Sequence, residues 1–496
     1  MDYEVVIGLE VHAQLLTRSK MFCGCSAAYQ TALPNSHVCP VCLALPGVLP
    51  VANRQAVEYT IMTGLALNCT ISEVSKFDRK NYPYPDLMKG YQISQYDMPL
   101  CKSGHLEVDV DGEHRRVRIN RVHLEEDTAK LFHRVGDDGV RCSLVDVNRS
   151  GVPLMEIVSE PDMRSAEEAR QYLMKLRNIL QNLGVSTGNM EEGSFRCDAN
   201  VSIRPVGEQK LGSKVEVKNM NSFRAVYRAL QFEAERQRKA LESGARIVQE
   251  TRGWVEERGV TVSQRSKEQA HDYRYFPEPD LTPMAVSREW VDGVRAKLPE
   301  LPDARRDRFV AEYGLPVYDA TQLSGSKSMA GYFETAVADW AKLRGKASAD
   351  ARVTFAKPIA NWMLGEFTRL LNAADVEVGQ ARLTPSLLVE LVDLVDKGTV
   401  NQTAAKTILE EAFQTGKSPS ALVREKGLTQ IGDTNELASI CVQVIAASPQ
   451  AVADYAAGKE QALKFLVGQM MKATKGRANP TVAAALLKEK LDARKA

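Results

Sequence analysis

Four cysteines stand in two close pairs near the N-terminus, Cys23-Gly-Cys25 and Cys39-Pro-Val-Cys42. Two short-spaced pairs joined by a loop let each small turn supply half of a tetrahedral thiolate shell, the set that structural Zn²⁺ prefers. They follow a strand-like run, Tyr3 to His12, that carries Glu10 and His12, so the expected Zn knuckle would pin the loop beside those two residues. Carboxylates give the second chemical signal. His123-Leu-Glu125-Glu126-Asp127 packs three acids and a histidine into five residues; such a density repels itself unless the acids splay into water or some of them hold a metal. Asp146, Glu156, Asp198 and Glu216 lie in otherwise apolar, strand-like contexts and read as acids facing inward. Hard oxygen ligands from several strands, with one imidazole such as His12, suit Mg²⁺ or Mn²⁺, and Mg²⁺ in turn suggests phosphates.

Cations and aromatic residues interleave in the next chemical region. Lys76 to Asp86 and Lys89 to Gln95 bring Arg79, Lys80, Tyr82, Lys89 and Tyr91 into a loop-like setting that could cradle phosphates or a stacked base. Neither a Walker A run nor a Gly-x-Gly-x-x-Gly motif occurs, which argues against a P-loop or Rossmann nucleotide site. No Ser/His/Asp order is readable, and with Cys23 to Cys42 engaged by Zn²⁺ no cysteine stands out as a nucleophile.

These residues need a scaffold, and the chain is long enough for two to four domains: 496 residues, 26% charged and 44% hydrophobic, the balance of a soluble globular protein. A net charge of +1 gives no global attraction to nucleic acid or membrane. The N-terminus has no signal-peptide pattern, and no apolar stretch approaches membrane-spanning length. Nine cysteines, five of them scattered singly, fit a reducing compartment, so a cytoplasmic protein without a membrane role is expected.

Composition changes along the chain. Residues 1–297 read as α+β: Leu106 to Val110, then Asp111-Gly112, then Arg116 to Ile119 is a hairpin signal. Ser165-Ala-Glu-Glu168 is a capping box opening an amphipathic helix that Gly184 stops, and Ser222 to Gly244 repeats the helical pattern. A mixed sheet with helices is therefore expected, followed by a helical domain over 298–384 and a small helical tail domain over 385–496. From Lys459 onward nine basic residues face three acids, a local +6. Lys472, Lys475 and Arg477 lie in a loop between two expected helices, a patch suited to phosphate backbones.

Six separate motifs, in order, carry a likeness to a known family: Glu4 to His12, Ser75 to Tyr82, Gly90 to Gln95, Leu144 to Ile157, Glu191-Glu-Gly-Ser194 and Asp272 to Asp280. The chain resembles the B subunits of the bacterial aspartyl/glutamyl-tRNA amidotransferases end to end, and Phe465 to Pro480 is similar to that family's tRNA-binding tail. The resemblance implies a cradle-shaped catalytic domain, a helical domain and a tail domain. It further implies ATP- and Mg²⁺-dependent phosphorylation of the side-chain carboxylate of mischarged Glu-tRNA(Gln) or Asp-tRNA(Asn). Ammonia released from glutamine by a partner amidase, the A subunit of such a heterotrimer, then displaces the phosphate, and a small C subunit clamps the pair. Carried onto this sequence, the catalytic and Mg²⁺ role falls on Glu10, His12, Glu125 and Glu156, with Asp198 and Glu216 as further ligands. Arg79, Lys80 and Lys89 are candidates for ATP phosphates or the tRNA acceptor end. Some family members lack the cysteine pairs, and a four-thiolate shell leaves no open position, so the Zn²⁺ is expected to be structural. The alternatives are a tRNA-binding protein without chemistry of its own and a metal-dependent phosphohydrolase built on the same carboxylates.

Overall fold

The computed structural model describes residues 2–136, 138–266, 273–345, 349–428, 434–457, 459–474, 478 and 480–493. The chain divides into two compact units, Met1–Leu301 and Pro302–Ala496. In the first, the strands in chain order are β1 (Tyr3–Gln14), β2 (Thr70–Ile71), β3 (Val74–Ser75), β4 (Asp78–Asn81), β5 (Tyr91–Ser94), β6 (Cys101–Val110), β7 (Glu113–Glu126) and β8 (Lys130–Val135). They continue as β9 (Arg141–Asp146), β10 (Pro153–Ser159), β11 (Phe195–Pro205), β12 (Val215–Lys218), β13 (Glu250–Val255), β14 (Val260–Ser266), β15 (Phe276–Pro277) and β16 (Met284–Ala285). Nine of these form one sheet in the order β14-β13-β12-β11-β1-β10-β7-β6-β2. The β12/β13 pair is parallel and the other pairs are antiparallel. The expected α+β mixed sheet is thus present, with β1 near its centre.

Local chemistry accounts for the elements that frame the sheet. Asp111 and Gly112 close the β6/β7 hairpin with φ of 53° and 82°, the two positive values that a two-residue turn of this hand requires. Helices α1 (Arg54–Ala66), α2 (Ala166–Leu183) and α3 (Phe223–Glu242) bury their apolar stripes in one core with the strands. The expected capping box at α2 forms with a shift of one donor: Ser165 Oγ accepts from Glu168 N at 3.1 Å, while the Glu168 carboxylate reaches back to Arg164 N at 2.7 Å. Gly184, at φ 70°, ends the helix as expected. Because side chains alternate along a strand, Leu9, Val11 and Ala13 enter this core and Glu10 and His12 point to the opposite face.

In the helical unit, one core cluster runs from Phe309 to Val423 and a second from Leu437 to Leu491. The boundary expected at 384/385 falls inside the first cluster. Tyr332 Oη, on the helix Lys327–Leu343, donates to Leu383 O at 3.0 Å, and Arg344 grips Asp393 of the helix Pro385–Asp396 at 2.7 Å. Helix Pro385–Asp396 reads in sequence as the start of a tail, but its Leu388, Leu391 and Val392 face the earlier helices. Among the described residues, no single helix is long and apolar enough to cross a membrane.

Candidate active site and metal centres

Register builds the first site. Across three neighbouring strands His12 pairs with Glu156, and Glu156 with His123. Glu125 lies two residues beyond His123 on β7 and therefore shares its face. The outcome is a compact set: His12 Nε2 is 3.4 Å from Glu125 Oε1 and 3.3 Å from Glu156 Oε2, and His123 Nε2 is 3.5 Å from Glu156 Oε2. Ser94 Oγ donates to Glu125 at 3.3 Å from the neighbouring strand β5. One nitrogen of His12 and one oxygen each of Glu125 and Glu156 lie within 4.8 Å of one another. Two carboxylates and an imidazole at that spacing fit a hard divalent cation such as Mg²⁺ or Mn²⁺.

The electrostatics are those of a site built around excess negative charge. Burial opposes a proton on His12, yet hydrogen bonds to Glu125 and Glu156 outweigh it and raise the imidazole pKa to about 10. Burial lowers the pKa of His123 against the opposing charges of Glu156 and Glu125. Glu125 and Glu156 are held below the usual carboxylate range against the cost of burial, Glu125 by its hydrogen bond to His12 and the charge of Lys80, and Glu156 by the charge of His123, the hydrogen bond to His12 and the charge of Lys80. Lys80 is correspondingly held as an ammonium: burial works against it and the charges of Glu125 and Glu156 prevail. A bound cation would take the place of the His12 proton.

The second site is the cysteine knuckle. Cys23, Cys25, Cys39 and Cys42 present their sulfurs within 4.8 Å of one another. The Cys39 and Cys42 sulfurs are 3.9 Å apart, close to the ~3.8 Å edge of a tetrahedron with Zn–S bonds of about 2.3 Å. The donor set therefore fits Zn²⁺. A hydrogen bond from Cys23 lowers the Cys42 thiol to about 4 against burial, helped by Cys39 N and by the charge of Lys20. Lys20 is buried, donating to His37 O at 2.8 Å and Val147 O at 3.3 Å. Its ammonium stands where four thiolates and a dication would carry a net double negative charge. Cys23 and Cys42 line a cavity of about 250 Å³ together with Lys89, Tyr91 and Glu126. The knuckle thus adjoins Glu126, the neighbour of Glu125 that alternation turns away from the cluster, whereas chain order alone places it beside Glu10 and His12.

Residues 5–292 match the model of the GatB/GatE catalytic domain, and residues 346–491 match that of the GatB domain. The chain is 58% identical over 494 residues to the B subunit of an aspartyl/glutamyl-tRNA(Asn/Gln) amidotransferase of Dehalococcoides mccartyi, with 99% of each chain covered. Proteins of the same name from a Thermoanaerobacter species and Thermomicrobium roseum are 54% and 56% identical, over 99% of this chain and 100% and 99% of theirs. The chain belongs to the GatB family of amidotransferase B subunits.

In this family member the expected site residues separate into those that converge and those that do not. His12, Glu125 and Glu156 converge, with Lys80 beside them. Glu10 shares their sheet face but accepts from Asn200 Nδ2 at 2.8 Å. Asp198 and Glu216 lie one and two strands further out and share Lys218, at 2.6 and 3.4 Å, with Thr251 Oγ1 also donating to Glu216 at 2.8 Å. Arg79 is engaged by Glu278, through bonds of 2.7 and 2.8 Å, and lies over the Tyr91 ring at 4.4 Å. Lys89 bridges to Glu126 at 2.6 Å, and Tyr82 packs edge-on to Tyr273. Asp146 caps the 3₁₀ turn Val147–Arg149 through Asn148 N. Lys472 is exposed at the end of the helix Glu460–Ala473, and Lys475 and Arg477 lie outside the described residues.

The acid run at 125–127 does not splay into water, and of its three acids Glu125 alone joins the candidate metal set. All three acids are buried, and each meets its own partner. Glu125 meets His12, Glu126 meets Lys89, and Asp127 meets Arg196 at 3.2 Å and Arg149 at 3.7 Å. His123 is the cluster member that sequence reasoning does not single out as a ligand neighbour. Its two-residue offset from Glu125 is the available signal.

Proposed function

We propose that this chain is the component of a tRNA-dependent amidotransferase that activates the side-chain carboxylate of glutamate or aspartate esterified to tRNA. The observation that carries the reading is the set of partly exposed His12 with buried Glu125 and Glu156, Lys80 beside it, in a chain matching curated amidotransferase B subunits from end to end. A carboxylate is a poor acyl donor. Transfer of the ATP γ-phosphoryl group to a carboxylate oxygen releases ADP and gives an acyl phosphate. Ammonia then attacks the acyl carbon, phosphate leaves with the C–O bonding pair, and the nitrogen loses a proton to give the amide.

His12, Glu125 and Glu156 are the residues that would hold Mg²⁺, which supplies charge neutralisation on the phosphates when bound. Ser94 and His123 orient the two carboxylates from either side. Lys80 places a fixed ammonium against the same cluster, where it can draw in the anionic substrate groups. The chain has no ammonia-releasing machinery of its own that the sequence reveals, so a partner amidase, clamped by a small third protein, is the source of ammonia. Free thiols at all nine cysteines fit a cytoplasmic assembly. The tail from Leu437, with its own core and a net basic charge, is the segment that grips the tRNA backbone.

The test uses the assembled enzyme and mischarged tRNA. ATP hydrolysis should depend on the mischarged tRNA, and Glu125→Ala should abolish amide formation while glutaminase activity persists. Amide formation by Glu125→Ala at the wild-type rate would defeat the site assignment.

A further inference from the structure

Four tyrosines form a chain beside the carboxylate and imidazole cluster, and the outermost is half in water. Tyr96 and Tyr275 stack face to face, with centroids 4.2 Å apart and planes 8° from parallel. Tyr273 meets Tyr275 edge-on at 6.0 Å, and Tyr82 meets Tyr273 at 5.8 Å. Tyr96 is nevertheless 56% exposed. One face of its ring is covered by Tyr275, so the stack ends in a π-surface open to solvent.

The pair is held in place from both sides. Tyr96 N donates to Asp78 Oδ2 at 3.0 Å, and the buried Asp78 is itself gripped by Lys76 at 2.5 Å. On the other side, Asn81 N donates to Tyr273 O at 2.9 Å and Asn81 Nδ2 to Arg274 O at 2.8 Å, while Phe276 pairs with Arg79 across the β15/β4 ladder. Arg274 adopts φ 44°, a left-handed conformation unusual for a residue with a side chain. These hydrogen bonds and the β15/β4 pairing hold the segment bearing Tyr273 and Tyr275 on β4.

The platform is close to the chemistry. Ser94, which donates to Glu125, precedes Tyr96 by two residues, a reach of at most about 7 Å of chain. Lys80 Nζ lies 5.1 Å from the Tyr273 ring centre and interacts electrostatically with Glu125, Glu156 and Tyr275. The substrate carries its amino acid on the terminal nucleotide of an unpaired strand. Unpaired bases bind proteins by stacking on exposed aromatic rings next to cations.

We propose that Tyr96, backed by Tyr275, is the stacking platform for the unpaired 3′-terminal base of the aminoacyl-tRNA, and so sets how far the esterified side chain reaches towards Glu125 and Glu156. This rests on the reading of mischarged tRNA as substrate. Tyr96 is a positioning residue.

The experiment uses the assembled amidotransferase and measures KM and kcat on mischarged tRNA, together with inhibition by uncharged tRNA with and without its 3′-terminal nucleotide. Tyr96→Ala should raise KM for mischarged tRNA on the order of tenfold or more, leave KM for ATP unchanged, and erase the difference between intact and truncated tRNA as inhibitors. Tyr96→Trp, which keeps a stacking face, should restore both. Three results would overturn the platform: an unchanged KM, an equal loss for intact and truncated tRNA, or failure of Tyr96→Ala to associate with its partner proteins, which would make this face a protein interface. If the wild-type enzyme itself showed no ATP hydrolysis with mischarged tRNA, the functional reading would fall whatever Tyr96 does.

Discussion

The cysteine knuckle and the carboxylate cluster are both convergent ligand sets, yet they are assembled by different means. The four thiols come from one loop, Cys23 to Cys42, whose two tight turns deliver each pair locally. His12, Glu125 and Glu156 come from three strands far apart in sequence and meet because antiparallel register places His12 opposite Glu156 and Glu156 opposite His123. A local site depends on turn geometry and on the charge beside it. A register-built site depends on the whole sheet, and a one-residue slip in β10 would turn Glu156 into the apolar core.

That contrast orders the consequences of perturbation. Glu156→Gln removes one carboxylate charge from the register-built site and should lower amide formation about 10²- to 10³-fold, with glutaminase activity of the assembled enzyme kept; a rate within a few-fold of wild type would separate Glu156 from the chemistry. Stripping Zn²⁺ with a chelator should act in the opposite order. The melting temperature should fall by several degrees before activity declines, and metal analysis alongside calorimetry would expose a knuckle that is empty or catalytic. Lys20→Met leaves all four thiols in place and removes only the buried ammonium. We expect roughly 10- to 100-fold weaker retention of Zn²⁺ in chelator competition, and unchanged retention would mean that the two carbonyl bonds of Lys20, not its charge, are what the fold uses.

Between the two modes lies Asp393, whose partners are one local cation, Lys397 at 2.6 Å, and one distant in sequence, Arg344 at 2.7 Å. Burial raises the cost of its charge, and Lys397 and Arg344 overcome this to hold its pKa below the ordinary value. Its folded value is lower than its unfolded value of about 3.9, so the unfolded chain binds the extra proton. The contribution is therefore present above that pH and is lost as pH falls through the folded value. Asp393→Asn should lower the melting temperature by a few degrees at neutral pH, and the gap to wild type should close as pH falls below about 4. A gap independent of pH would assign the effect to packing.

The legibility of the two sites follows the same division. The cysteine pairs, the Asp111-Gly112 turn and the Ser165 cap could be read directly because their geometry spans a few residues. The acids could be read only as a population. Alternation shows that Glu10, His12, Asp198 and Glu216 can share a sheet face, but it is silent on which strands are neighbours, and β11 and β12 prove to lie on the side of β1 away from Glu156. The 384/385 boundary shows the same limit in helices, since an amphipathic stripe on Pro385–Asp396 does not say which core receives it.

By itself the sequence determined the family, the α+β and helical organisation, the thiolate knuckle and the faces of the strands. These depend on short-range spacing and on side-chain period. The tertiary structure decided that His12, Glu125 and Glu156 form the cluster while Asp198 and Glu216 share Lys218. It also decided that three consecutive acids each find different partners, and that Tyr96 and Tyr275 stack beside Lys80. Strand order and register are collective properties of the folded sheet, set by the burial of its entire apolar face, and no local spacing encodes them.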